Sequence, residues 1–300
     1  MVATDLRGVH GEGFVRNLVI NPLLRVFGDR LVAVLLFGSR ARGDYKDWSD
    51  YDFLIVLKEV SDEDLKLAYS ALRDFRFKVH RDTTVLVVSF DELVRNISFS
   101  TLLNAVYDGI IMYDKDGRLT KIKEKLLKKL KELGMRRVRD VWTTPKKLII
   151  PFRIVLSNDP ISEYEYRLKL ANEHLKTAER CFEDGLYYVA VHYAQLSIEN
   201  AAKALIALYK PVPWRHDVGD TLMELANERE ELQRYKDKIL KIAQIADEVA
   251  ILHGISTYGD VRSLKTPSEL YSKDDALELI KKARQVLNEV INIIKSIIKK

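Results

Sequence analysis

Seven consecutive apolar residues, Leu31-Val-Ala-Val-Leu-Leu-Phe37, run into Gly38-Ser-Arg-Ala-Arg-Gly-Asp44. A second apolar run opens at Ser49-Asp50 and continues through Tyr51-Asp52-Phe53-Leu54-Ile55-Val56. The pattern predicts a strand, a glycine-bounded basic turn and a second strand. Upstream, Phe14, Leu18, Leu23, Leu24 and Phe27 mark one face of a helix over residues 13–27, with Pro22 as a break or kink. Downstream, Ser61-Asp-Glu-Asp64 starts a helix running to about Phe77, and the β-branched run Thr83 to Ser89 predicts a third strand. Ser89-Phe-Asp-Glu92 is a capping box that opens a helix towards Tyr107, and Ile110 to Tyr113 predicts a last short strand before a turn.

From Leu119 to Leu133 the apolar positions Ile122, Leu126, Leu127, Leu130 and Leu133 form one helical stripe. Residues 134–160 carry turn signals at Trp142-Thr-Thr-Pro145 and Ser157-Asn-Asp-Pro160, with a Pro151-broken apolar run at 148–156 between them, and read as a connector. From Ser162 only helical patterns follow: 162–184 with Gly185 as its stop, alanine-rich 187–209, 219–233, 235–252, and a terminal helix from the cap Ser272-Lys-Asp-Asp275 to Ile297. Short loops between amphipathic helices make an antiparallel bundle. The expected organisation is an α/β domain with a mixed sheet over 1–117, a basic helix and connector over 118–161, and an all-α antiparallel helical bundle over 162–300.

A chain of 300 residues has room for two cores. The single Cys181 excludes an internal disulfide and fits a reducing compartment. No apolar run reaches the ~18 residues of a membrane span, and the N-terminus lacks a signal core, so the expectation is a cytoplasmic protein without a membrane partner. Charge is uneven: Lys115 to Arg153 holds 14 Lys and Arg against 4 Asp and Glu. The helix alone reads as a solvated amphipathic face, whereas Arg136, Arg137, Arg139, Lys146 and Lys147 beyond it keep a polyanion contact in view.

The chemistry concentrates at the two strands. Residues i and i+2 of a strand share a face about 7 Å apart, so Asp50 and Asp52 project together. Two such carboxylates repel unless a cation lies between them, and hard oxygen ligands suit Mg²⁺, which completes its shell with substrate phosphates. Gly38 lets backbone approach a phosphate, Ser39 offers an amide and a hydroxyl, and Arg40 and Arg42 add fork-shaped donors. As a bare Asp-x-Asp the same residues would read as a polar hairpin turn.

The full string, Phe37 to Gly43 and then Ser49 to Val56, resembles the minimal nucleotidyltransferases of the DNA polymerase β superfamily. The resemblance implies metal ligands at Asp50 and Asp52, which are also the catalytic residues. It implies a nucleotide-binding turn at Gly38, Ser39, Arg40 and Arg42, and Mg²⁺-dependent transfer of a nucleoside monophosphate from a nucleoside triphosphate to an acceptor. It also implies a third carboxylate opening the third strand. Counting back from the capping box places that position at Thr84, while Asp82 lies two residues earlier on the same face of a strand extended that far.

The helical half resembles the HEPN family, through Tyr187 to Leu205, His216-Asp217, Tyr258-Gly-Asp260 and Tyr271 to Ala276. Many such domains are ribonucleases with an Arg-x4–6-His motif. Thr257 stands where that arginine is often found and no histidine follows, which argues against a toxin-type ribonuclease. Gln195, Glu199 and Lys203 share one helix face, expected as an internally paired polar stripe on a bundle or dimer surface rather than a contact to substrate or to the nucleotide's base. His80, His174, His192 and His253 show no ligand spacing and read as structural, His216 reads as a residue of a helix start, and Trp48 as either a base-stacking or a packing aromatic. The leading expectation is therefore an enzyme whose helical domain binds the acceptor or makes a homodimer. The acceptor is a small molecule, as in aminoglycoside nucleotidyltransferases of this domain order, a protein hydroxyl or an RNA end. The alternatives are a non-catalytic nucleotide-binding regulator and a fused toxin–antitoxin-like module.

Overall fold

A computed structural model describes residues 14–138, 141–145, 151–157 and 162–298. The start of the apolar run at 148–156, most of the turn at 157–160, and Arg139, Lys146 and Lys147 lie outside the described residues. Contacts divide the chain into Met1–Glu132 with Ile154–Ile161, and Leu133–Arg153 with Ser162–Lys300.

The first unit is built on four strands, β1 (Leu31–Phe37), β2 (Tyr51–Leu57), β3 (Thr83–Ser89) and β4 (Ile110–Asp114), in the order β3-β2-β1-β4. β1 runs antiparallel to β2 and β4, while β2 and β3 are parallel, so the sheet is mixed as expected. β1 is buried along its whole length. On one face Val34, Leu36, Phe53 and Ile55 pack with Leu23, Phe27, Leu72 and Phe75, and Phe75 meets Tyr51 and Phe53 edge-on. That layer puts Asp52, between Tyr51 and Phe53, on the opposite face.

Three expected helices are subdivided. Residues 16–27 form a π-helical turn, Arg16–Ile20, and then Asn21–Phe27 with Pro22 in its first turn, where its missing N–H costs nothing. The second runs as Asp64–Ala71 and Arg73–Val79, hinged at the fully buried Leu72. The Ser89 box forms with both reciprocal hydrogen bonds, but its helix ends at Arg95 and restarts as Ser100–Asp108. Between them the buried Ser98 hydroxyl accepts the Ile154 amide at 2.6 Å, a partner 56 residues away that no local pattern reveals. The basic helix Arg118–Glu132 buries Leu119, Ile122, Leu126 and Leu130 and leaves Leu127 exposed. Lys123 donates to the Gly109 carbonyl at 2.6 Å, and burial holds its ammonium pKa below the ordinary range.

The second unit begins with a hairpin, β5 (Arg136–Val138) and β6 (Val141–Thr143), which three-residue strands were too short to announce. Arg229 ties the following segment to the bundle through Thr144 and the Pro145 carbonyl. The bundle surrounds Tyr187–Ala207, packed by Glu163–Glu183 and Lys273–Ile298, with Gly219–Glu228, Lys236–Ala250 and Leu252–Tyr258 completing it. Ala190, Ala194, Ala201, Ala202 and Ala204 of the central helix are all buried, and their small side chains let neighbouring backbones approach. Among the described residues, no helix is long and apolar enough to cross a membrane.

The polar stripe on that central helix is internally paired, as expected, but it is buried rather than on the bundle surface. Gln195, Glu199 and Lys203 are 0%, 5% and 7% exposed. Lys203 Nζ donates to Glu199 Oε1 at 2.6 Å, and Gln195 Nε2 to Oε2 at 2.9 Å. Burial opposes the Glu199 charge, but Lys203, His216 and Gln195 outweigh it and hold the carboxyl below its usual range. Removing one partner of a buried pair strands the other's charge. Lys203→Met is accordingly expected to lower unfolding free energy by about 3 kcal/mol. Denaturant unfolding checks this, and Glu199→Gln with Lys203→Met should recover part of the loss.

Candidate active site

Asp52 is positioned by β2, whose register sets it opposite Phe37 of β1 and beside Thr84 of β3. Immediately after Phe37 the chain turns into the short helix Gly38–Arg42, closed by Gly43 at φ 83°. Gly38 has φ 73°, and a Cβ on it would lie 2.0 Å from Asp52 Oδ2. Only glycine fits, because the carboxylate occupies the space of the missing side chain. The turn's backbone and the Asp52 carboxylate are thereby held side by side at the end of the sheet. No side chain caps the N-terminus of the turn, and such an end favours an anion.

Burial pushes the Asp52 carboxyl above the usual carboxylate range. The Thr84 hydroxyl bonds to it and lowers the value, Asp50 raises it by like charge, and Arg42 lowers it. Asp50 and Asp52 thus act on each other electrostatically, as their spacing requires. Asp50 itself is exposed and stands one residue before β2 begins.

The four turn residues divide. Gly38 and Ser39 stand in the first turn beside Asp52. Arg42 is partly exposed and pairs with Asp44 at 3.1 Å and Asp108 at 3.8 Å. Arg40 goes the other way. It is 7% exposed, with its guanidinium between the Tyr45 and Tyr51 rings at 4.3 and 4.5 Å. It donates to the Ser49 carbonyl at 2.9 Å and the Asp47 carbonyl at 3.4 Å. Arg81 donates to the same Asp47 carbonyl. Two arginines therefore clamp the loop that leads into Asp50, and Arg40 is turned to that loop's carbonyls. The clamp role of Arg81 and the Asp108 partner of Arg42 had no sequence signal, since both depend on chain crossings 34 and 66 residues long.

Thr84 stands where the third carboxylate was expected. Asp82 is exposed and precedes β3, although its carbonyl accepts the Tyr51 amide at 3.1 Å and continues the ladder by one step. Among the described residues, Asp50, Asp52 and Asp82 do not bring three carboxylate oxygens within 4.8 Å of one another. Trp48 is 73% exposed beside Lys46, which disposes of the packing alternative.

The nucleotidyltransferase-domain family matches residues 23–155, and the HEPN-domain family matches residues 164–294. "Putative protein adenylyltransferase MJ0604" of Methanocaldococcus jannaschii is 30% identical over 94 residues, which are 31% of this chain and 90% of that protein. The chain belongs to the nucleotidyltransferases, with a HEPN domain behind. "Putative toxin MJ1304" of the same organism is 26% identical over 130 residues, 43% of this chain and 86% of its own. "Leucine--tRNA ligase 2" of Sulfurisphaera tokodaii is 24% identical over 214 residues, 66% of this chain, and the chain spans only 21% of that protein. The nucleotidyltransferase match reaches past the basic helix, which packs within the first unit.

Within the nucleotidyltransferase domain, Gly38→Ala is the sharpest probe of the juxtaposition. A non-glycine residue in the left-handed region costs about 1–2 kcal/mol, and the new methyl must displace Asp52. Thermal denaturation is expected to show a lowered midpoint together with loss of any rise produced by Mg²⁺ and ATP in the parent.

Proposed function

We propose that the protein is a Mg²⁺-dependent nucleotidyltransferase that moves adenylate from ATP to a hydroxyl group of a protein acceptor. The observation that carries this reading is the Gly38–Asp52 contact: a half-buried carboxylate lies against an uncapped helical turn, with Asp50 coupled to it. The donors fit the ion. Asp50 and Asp52 supply hard carboxylate oxygens and Thr84 a hydroxyl, a set that suits Mg²⁺, which needs few protein ligands. When bound, Mg²⁺ neutralises triphosphate charge and lowers the pKa of a nearby hydroxyl. The Gly38–Arg42 amides and the Ser39 hydroxyl hold triphosphate oxygens, Arg42 adds a donor, and Arg40 keeps the Asp50 loop in place.

In the reaction the acceptor oxygen bonds to the α-phosphorus. The bond from that phosphorus to the oxygen bridging to the β-phosphate breaks, and pyrophosphate leaves. The acceptor proton passes to a base, for which Asp82 is the candidate, since the Thr84 hydroxyl is neutral at working pH. The protein acceptor is favoured over a small molecule or an RNA end by the names of the relatives. The HEPN domain is assigned acceptor binding or homodimer contacts, supported by Trp214, Tyr258, Val261 and Leu264, each more than 60% exposed.

A second reading has one observation in its favour. With Thr84 in place of the third carboxylate, the domain can bind nucleotide and not turn it over, which makes it a regulatory module. Incorporation of label from each nucleoside triphosphate into protein, RNA or a small-molecule pool separates the two. Asp52→Asn is expected to lose both Mg²⁺-dependent nucleotide binding and transfer. Asp82→Asn is expected to keep binding and slow transfer by roughly 10²–10⁴-fold, the usual worth of a positioned base. An unchanged rate removes Asp82 from the mechanism. A parent that binds Mg²⁺-ATP without any incorporation sinks the enzyme reading in favour of the regulatory one.

A further inference from the structure

The nucleotide site uses no residue of the helical unit, yet that unit holds a cluster of metal-ligating side chains. Glu199 comes from the central helix Tyr187–Ala207, His216 from the loop before Gly219–Glu228, and His253 from Leu252–Tyr258. One carboxylate oxygen and one ring nitrogen from each histidine lie within 4.8 Å of one another. His216 Nδ1 is 2.9 Å from Glu199 Oε2, and the His216 and His253 rings stack with centroids 4.0 Å apart. Sequence spacing hid this group, because its members are separated by 17 and 37 residues and sit on three elements; only the fold brings His216 and His253 to Glu199.

The surroundings orient Glu199 and His253. Lys203 takes the other oxygen of Glu199, Oε1, so Oε2 is the atom left towards the imidazoles. Gln195 bridges the set, its Nε2 donating to Glu199 Oε2 and its Oε1 lying 3.4 Å from His253 Nδ1. Such outer partners orient ligands and select the ring tautomer. The Glu199 side chain is 7% exposed while that of His216 is 50% exposed, so the cluster is anchored inside and open on one side.

We propose that Glu199, His216 and His253 form a binding site for a divalent transition-metal ion, zinc(II) by the chemistry of its donors. Two imidazoles and one carboxylate are the set that leaves zinc a fourth position for water or another ligand. The borderline nitrogen donors select against Mg²⁺, which takes oxygens. A tetrahedral zinc ion holds its ligand atoms about 3.3 Å apart, so His216 and Glu199 need separate only slightly from their present 2.9 Å, while the stacked His216 and His253 rings must turn for their in-plane lone pairs to meet at one ion. Lys203 already answers the Glu199 charge, so the ion's own charge calls for an anion, hydroxide or another, in the open position beside His216.

The test uses the full chain without a histidine tag, stripped with chelator and titrated with Co²⁺. The visible ligand-field absorption of four-coordinate Co²⁺ is expected to saturate at one equivalent and to vanish when Zn²⁺ displaces it. His216→Ala removes a half-exposed ligand, and circular dichroism verifies that the variant is folded. It is expected to weaken Co²⁺ and Zn²⁺ binding by about 100-fold or more, against the 10–100-fold typical of outer-shell changes. His253→Ala should behave likewise, while Asp52→Asn keeps the band, which separates this site from the nucleotide site. No band and no Zn²⁺ binding in the parent, or parental affinity in folded His216→Ala and His253→Ala, overturns the proposal and leaves the cluster a hydrogen-bonded network only.

Discussion

Everything at the candidate active site depends on one steric constraint: the carboxylate of Asp52 lies where a side chain on residue 38 would have to be. The constraint has two sources. The β1–β2 register places Asp52 opposite the last residue of β1, and the left-handed φ of Gly38 turns the chain sharply away immediately afterwards. The contact brings peptide donors and a carboxylate to one place, a pairing that suits the metal-bound triphosphate proposed above. A half-buried carboxylate is costly to ionise alone, and the Thr84 hydroxyl and Arg42 offset that cost only in part. The site is thus arranged to favour a cation.

Around this contact the arginines divide their labour. Arg42 faces the acidic groups near the site, whereas Arg40 is buried between two tyrosines and spends its donors on loop carbonyls. A guanidinium suits that position because it is flat enough to stack and has donors along its edge. The loop carrying Asp50 is therefore held through its backbone carbonyls.

The helical unit solves a different problem. Its central helix is rich in alanine, so its neighbours close in along most of its length, and Gln195, Glu199 and Lys203 are buried on it. Gln195, Glu199 and Lys203 must satisfy one another and recruit His216 and His253 from other elements. The packing demand that buries the helix is what gathers the ligands of the second candidate site.

The sequence alone determined the two-part architecture, because alternation, capping boxes and apolar runs are local signals that survive into the fold. Strands Leu31–Phe37 and Thr83–Ser89, the Ser89–Glu92 box and the long helices of the bundle are where those signals put them. The sequence also determined the character of the nucleotide site, since glycines, a basic turn and Asp-x-Asp lie within twenty residues. Tertiary structure decided what depends on distant partners. It broke the helix after Arg95 so that Ser98 meets Ile154, and turned Arg40, between two tyrosines, to the loop carbonyls. It also set Thr84 beside Asp52, and drew together a glutamate and two histidines that no spacing rule connects. The physical reason is the same in each case: a backbone preference is written in neighbouring residues, but the environment of a buried polar group is written by whatever the rest of the chain packs against it.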